Sequence, residues 1–153
     1  MKDLGMIHYI LGIRVGKYVV EILKRFKMME CKAMATPMAS KLKLLNYGSS
    51  KTIDPMMYHH MIGSLMYLTN TRPDICFAVN TLSQFLIDPR NFHLIAAKHI
   101  LRYLRGTIDY GIKYDVNQKI NLEDYVDSYW ARSAINRKST SGCCFSTGSC
   151  VIS

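Results

Sequence analysis

Three prolines, in the pairs and triplet Asp54-Pro55, Arg72-Pro73-Asp74 and Asp88-Pro89, cut the middle of this chain into lengths that suit short helices. Proline is favoured at a first helical position, because its missing N–H has no partner there, and Asp54 is placed to cap that turn. A helix is therefore predicted from Pro55 to about Asn70. The next proline ends it and starts a second, over residues 74–86. A third follows over residues 91–105, closed by Gly106 as the residue just past the cap. Helices joined by turns this short pack as a compact antiparallel cluster.

The flanks have a different character. Residues 7–15 form a β-branched, Tyr-containing run stopped by Gly16, which predicts a strand. Residues 17–29 turn helical: Tyr18, Ile22, Phe26 and Met29 recur at helical spacing, and Glu21 stands four residues before Arg25. From Cys31 to Asp54 the periodicity is lost. Thr36-Pro37 forces an extended backbone and Asn46-Tyr47-Gly48 signals a loop, so this connector is expected to lie strapped across a surface. After Gly106, strands are expected at residues 110–114, 122–127 and 140–146, with Val151-Ile152 opening another. A meander that stops at Ser153 leaves an unpaired edge, so the expectation is a piece of a larger polypeptide rather than a complete enzyme.

Charge narrows the partners. The net charge is +9, and the excess of Lys and Arg over Asp and Glu is concentrated in residues 1–60, which points to a polyanion. The five cysteines include no CxxC pair, and Cys143-Cys144 are neighbours that a strand turns opposite ways, so reduced intracellular thiols are expected rather than a zinc site. No run approaches the roughly 20 apolar residues of a membrane span, and a soluble, intracellular protein is expected, in cytoplasm or nucleus alike.

Ordered words of sequence then carry a resemblance. Lys2-Asp3-Leu4-Gly5, His8-Tyr9 and Leu11-Gly12-Ile13 resemble the segment that follows the polymerase active site in copia-type long-terminal-repeat retrotransposons. The likeness continues through Arg25-Phe26, Cys31-Lys32 and Thr36-Pro37-Met38. It is densest from Gly63-Ser64-Leu65-Met66-Tyr67-Leu68 to Thr71-Arg72-Pro73-Asp74-Ile75, and resumes at Ile100-Leu101-Arg102-Tyr103-Leu104 and Gly106-Thr107. Tyr125, Asp127, Trp130-Ala131 and Arg137-Lys138-Ser139-Thr140-Ser141-Gly142 look like the opening of that family's ribonuclease H domain.

The resemblance implies an α+β chain in three parts. Residues 1–54 are a strand–helix remnant of the reverse transcriptase palm plus a connector. Residues 55–106 are a three-helix cluster like the thumb and connection, and residues 107–153 an incomplete ribonuclease H-like β-meander. The polymerase's paired aspartates belong upstream of Met1, and no Asp-Asp pair occurs here. Asp127 alone matches a metal-binding carboxylate of the family, and a single carboxylate holds Mg²⁺ weakly. No catalytic residue and no cofactor is therefore expected in this chain, although the parent family uses Mg²⁺. Tyr129 replaces a usual Asp, Arg132 replaces a usual Gly, and a hairpin's worth of residues is missing between Val15 and Lys17.

What remains is binding. Lys98, Arg102 and Arg105 form a basic stripe on the third helix, beside the apolar stripe of Leu94, Ala97, Leu101 and Leu104; Lys24, Arg25 and Lys27 form a second patch. Both are candidate contacts to the phosphates of an RNA–DNA hybrid or duplex, the alternative being solvated helix faces. If the three stripe residues meet phosphates, log K falls with log salt at a slope of about −2.7 from them alone. Three functions stay open: a catalytically dead remnant that retains binding, a retained nucleic-acid-binding or protein-interaction module, and an enzyme completed by missing segments from another chain.

Overall fold

In a computed structural model the described residues are 9–10, 13–39, 51–111, 122–127, 142–147 and 150–151, with side chains described over 16–39 and 51–111. Two short strands, β1 (Tyr9–Ile10) and β2 (Ile13–Arg14), pair antiparallel with Ile10 opposite Ile13. The single strand expected over residues 7–15 is thus a reversal. Helix α1 (Val15–Arg25) starts directly after it and takes in Gly16, which was expected to stop the strand. Glu21 and Arg25, both exposed, make no ion pair.

The end of α1 is set by backbone bonds. Lys27 N–H donates to the Lys24 carbonyl at 3.1 Å and Met28 N–H to the Leu23 carbonyl at 2.7 Å, with Lys27 at φ 56°. This is a Schellman closure with lysine where glycine is usual, at a cost of about 1–2 kcal/mol in backbone strain. The helix therefore stops before Met29. Met28 and Met29 fold back to pack against the core.

Helix α2 (Pro55–Thr69) begins with the Asp54 carboxylate accepting the Met56 N–H at 3.0 Å. A 3₁₀ turn (Pro73–Ile75) leads into α3 (Cys76–Ser83). This third helix ends three residues short of the expected Leu86, because the following turn is taken up by tertiary bonds. The Phe85 ring stacks on His93 at 4.0 Å, and the Leu86 carbonyl bonds His59 Nε2 at 3.0 Å. Helix α4 (Asn91–Gly106) opens with His93 Nδ1 accepting the Arg90 N–H at 3.0 Å, which fixes the buried imidazole as its Nε2-protonated tautomer.

One hydrophobic core unites all four helices. Val19, Ile22 and Leu23 of α1 are buried together with Ile62 and Leu65 of α2, Val79 and Leu82 of α3, and Ala97, Ile100 and Leu101 of α4. Helix α1, placed by sequence with residues 1–54, shares its core with the helices of residues 55–106. Tyr58, fully buried, donates its hydroxyl to the Leu82 carbonyl at 2.9 Å; burial pushes its pKa well above the ordinary tyrosine value.

Gly106 is the last residue of α4 and Thr107, at φ −131°, is its cap, so Gly106 does not stand past the cap and no left-handed closure occurs there. The glycine serves closeness instead. A Cβ on Gly106 meets the Ala33 Cβ at 3.0 Å, because the connector crosses at that point. Tyr110 and Gly111, expected to start a strand, are outside any strand; Tyr110 N–H closes a turn onto the Thr107 carbonyl at 3.1 Å. Residues 112–114 lie outside the described residues. Further on, β3 (Leu122–Asp127), β4 (Gly142–Thr147) and β5 (Cys150–Val151) form an antiparallel sheet in that order.

Candidate nucleic-acid interface

The connector after α1 is bonded to α4 along its course. Arg105 Nε donates to the Met29 carbonyl at 2.7 Å and Arg102 Nε to the Lys32 carbonyl at 2.8 Å; His99 Nε2 bonds the Thr36 carbonyl at 3.0 Å. The Met34 N–H returns a bond to the Arg102 carbonyl at 3.3 Å. Beyond residues 40–50 the chain rejoins the start of the same helix. There the Asn91 N–H meets the Lys51 carbonyl at 3.1 Å and Thr52 bridges to Arg90. As the connector number rises from 29 to 51, its partner on α4 falls from 105 to 91. The strap runs antiparallel to the helix.

Extended chain cannot satisfy its own carbonyls, so side chains that reach across from a helix decide whether it stays down. Residues 99, 102 and 105 recur every three positions and so follow one ridge of the helix. Each bonds the carbonyl of a strap residue three or four further back. Guanidinium donors carry a full charge, so each bond is worth about 1–2 kcal/mol at a partly wet surface. That alone does not offset ordering the strap, which costs about 1–2 kcal/mol per residue. Met28, Met29, Met38 and Ile53 supply the rest by packing against the core.

This geometry brings the two basic patches together. Lys24, Arg25 and Lys27 are exposed at the end of α1; Met29, two residues on, is the strap residue that Arg105 holds. Arg102 holds Lys32, itself exposed, and Lys98 is exposed one turn before Arg102. Lys32 is a cation of this face that the sequence reading passed over. Nothing in its neighbours signals it, since only the antiparallel course of the strap puts it beside α4. Among the described residues the ion pairs are Arg72–Asp74 and Arg90–Asp88, so no described carboxylate pairs with any of these seven cations. Arg102 and Arg105 spend Nε on the strap, which leaves the Nη ends of their guanidinium groups for another acceptor.

A second polar cluster is buried and structural. Arg72, 2% exposed, donates Nε and Nη2 to the two Asp74 oxygens at 2.9 and 2.7 Å, and Nη1 and Nη2 to the carbonyl and hydroxyl of Thr107, both at 2.8 Å. Tyr103 donates its hydroxyl to Asp74 at 2.7 Å, and the guanidinium lies 5.8 Å from the ring centres of Tyr103 and Tyr110. Burial works to raise the Asp74 pKa. The hydrogen bonds from Arg72 and Tyr103, with the charge of Arg72, outweigh it and hold the carboxyl below its ordinary value. Tyr103 is raised by burial and by Asp74. The clasp ties the turn between α2 and α3 to the end of α4.

Asp127 ends β3 opposite Gly142. Among the described residues no group of three or more His, Cys, Asp and Glu could hold a metal ion. His59 and His60 are both exposed, and the His59 imidazole bonds the Leu86 carbonyl. Among the described residues no helix is long and apolar enough to cross a membrane.

Comparison with known proteins decides the family. The chain is 38% identical, over its whole length, to 68% of an uncharacterized mitochondrial protein of Arabidopsis thaliana. It is 40% identical over 93% of its length to the retrovirus-related Pol polyprotein from transposon RE1 of the same plant, and 37% identical over 95% to that from transposon TNT 1-94 of Nicotiana tabacum. The chain belongs to the retrovirus-related Pol polyproteins of copia-type retrotransposons. It spans 10% and 12% of the two named Pol polyproteins. No family model and no solved structure matches it. The clasp residues Thr71-Arg72-Pro73-Asp74, Tyr103 and Thr107 of this Pol-related chain fall on the words that carried the resemblance, and they are engaged in folding.

Proposed function

We infer that this chain is the part of a copia-type Pol polyprotein that links reverse transcriptase to ribonuclease H, with no catalysis of its own and with a duplex- or hybrid-binding face. One observation carries the binding reading: cations from α1 and α4, distant in sequence, gather along the strap, and among the described residues none of them has a carboxylate partner. Phosphate contacts of this kind position a nucleic acid without reading its bases. The catalytic reading rests on chemistry. Two-metal phosphoryl transfer needs several converging carboxylates, and the sequence holds no Asp-Asp pair. The antiparallel order β3-β4-β5, with Asp127 at a strand end, supports a ribonuclease H-like arrangement of these strands.

Fluorescence anisotropy against an RNA–DNA hybrid, titrated with salt, tests the face. The double variant Lys24→Glu/Lys98→Glu should weaken binding and flatten the slope of log K against log salt by about 1.8, since each phosphate contact contributes about 0.9. Arg102 and Arg105 are left intact in this test, because replacing them also releases the strap. Unchanged affinity and slope would sink the reading. Cleavage of the hybrid that is abolished by Asp127→Asn would instead make the chain an enzyme completed in trans.

A further inference from the structure

Two cations of the face are built differently from the rest. Lys24, Arg25, Lys27, Lys32 and Lys98 are exposed, whereas Arg102 and Arg105 are half-buried. Each of the two arginines donates Nε to a strap carbonyl, Arg105 to Met29 at 2.7 Å and Arg102 to Lys32 at 2.8 Å. Among the described residues, neither of their Nη pairs has an acceptor within hydrogen-bond distance. Arg72 is the contrast, since its Nε and both Nη atoms are engaged inside the protein.

A guanidinium is a rigid planar fork with two usable edges, one that includes Nε and one between the Nη atoms. With Nε held by a carbonyl, the Nη edge is left, and it matches the paired oxygens of a phosphodiester. A loose arginine loses its rotamer freedom only when it meets phosphate, which weakens the contact. Arg102 and Arg105 have lost that freedom already, on folding. They stand three residues apart on one ridge of α4, about 4.5 Å along its axis. The strap also carries Lys32, whose own carbonyl is the one that Arg102 holds.

Resting on the binding reading above, we propose that Arg102 and Arg105 are adaptors that hold strap and phosphate at once. Nε stays on the strap carbonyl while the Nη edge takes a backbone phosphate of the duplex or hybrid. Docking of the strap and binding of nucleic acid therefore reinforce each other. By linkage the effect is reciprocal: whatever factor the docked strap adds to affinity, bound phosphate adds to strap docking. Lysine does not replace these residues, because an ammonium is a point charge with no fork to fix two acceptors.

Fluorescence anisotropy against an RNA–DNA hybrid and hydrogen exchange on the full chain read the result. Arg102→Lys/Arg105→Lys keeps every charge, so affinity should fall at least about tenfold while the salt slope stays within about 0.3. Gly106→Val removes no cation, yet by displacing the strap it should weaken binding about three- to tenfold, and Ala33→Gly in the same chain should restore part of it. The Met34 amide, bonded to the Arg102 carbonyl, reports docking directly. Saturating hybrid should slow its exchange at least about fivefold and leave the Phe85 amide, bonded to the Leu82 carbonyl, unchanged. Equal affinity of the arginine and lysine forms overturns the proposal, as does Gly106→Val that frees Met34 without loss of affinity. Exchange at Met34 that is unchanged or faster with hybrid bound overturns it too, the faster case meaning that phosphate and strap compete. If Lys24→Glu/Lys98→Glu still lowers affinity and slope in those cases, the binding face stands and its cations act as independent charges. A chain that binds no hybrid overturns both readings.

Discussion

Burying a guanidinium costs several kcal/mol unless its N–H groups are met, and those of Arg72 are met by Asp74 and Thr107 with two tyrosine rings alongside. Asp74, a third exposed, is the half of the pair that still feels water. Asp74→Asn should therefore destabilise the fold by about 2 kcal/mol at neutral pH, below the range for a fully buried pair. The acid dependence has a definite sign. The Asp74 pKa is lowered on folding, so its contribution is complete above about 4, the unfolded value, and is lost as pH falls through the lower folded value. Urea unfolding of both proteins at a series of pH values checks this. The gap between them should narrow below about pH 4, and a gap that stays constant into acid would show that the carboxylate charge is not what the clasp uses. In the sequence, Thr71-Arg72-Pro73-Asp74 was legible as a helix break and as a family word, but not as a buried clasp. The partners Tyr103 and Thr107 lie about 30 residues on, and no local pattern joins them.

Helix α4 is the element on which the strap depends, and Gly106 marks how close the two lie. Gly106→Val should cost about 1–3 kcal/mol, because the Ala33 Cβ already stands 3.0 Å from the position of a first added carbon. It should also free the Met34 amide, which donates to the Arg102 carbonyl, so hydrogen exchange at Met34 rises. Ala33→Gly in the same chain should restore part of the loss, and additive effects would mean that the two positions do not touch. The helix itself could be read from Asp88-Pro89 and the Leu94, Ala97, Leu101 and Leu104 stripe, of which the last three are fully buried. The role of Gly106 could not. A glycine at a helix end ordinarily signals a left-handed residue, and the requirement here came from a segment some 70 residues earlier. The end of α3 was misplaced for a similar reason: Phe85 and Leu86 suit a helix locally but are claimed by His93 and His59.

For the molecule as a whole, the question is whether α1 is a separable remnant or a part of the core. Val19, Ile22 and Leu23 are fully buried or nearly so. Each contributes about 1.5–3 kcal/mol by burial, so losing all three removes roughly 5–9 kcal/mol. A domain of this size has only about 5–15 kcal/mol in total. A chain lacking residues 1–39 should therefore lose its cooperative thermal transition and its near-ultraviolet aromatic dichroism, whereas the full chain melts cooperatively. A truncated chain that melts as sharply would show that residues 55–106 fold alone. The division of charge also belongs to this scale, with cations along the strap and α4 and an uncharged stretch across α2 and α3 apart from the Arg72–Asp74 pair.

The sequence by itself determined where the helices lie, though not where each ends, since the capping Asp54, the prolines and the apolar stripes act within a few residues. It determined the family, since long ordered words survive at close to 40% identity, and the excess of positive charge, which is a sum and needs no geometry. Only the tertiary structure decided which charges stand free and which are spent on folding. Arg72 is consumed by Asp74 and Thr107, Arg102 and Arg105 are half consumed by the strap, and Lys24, Lys32 and Lys98 remain exposed. The reason is that a guanidinium is assigned by whichever acceptor lies within about 3 Å of it. That distance is fixed by how α1, the strap and α4 pack across some 70 residues of chain.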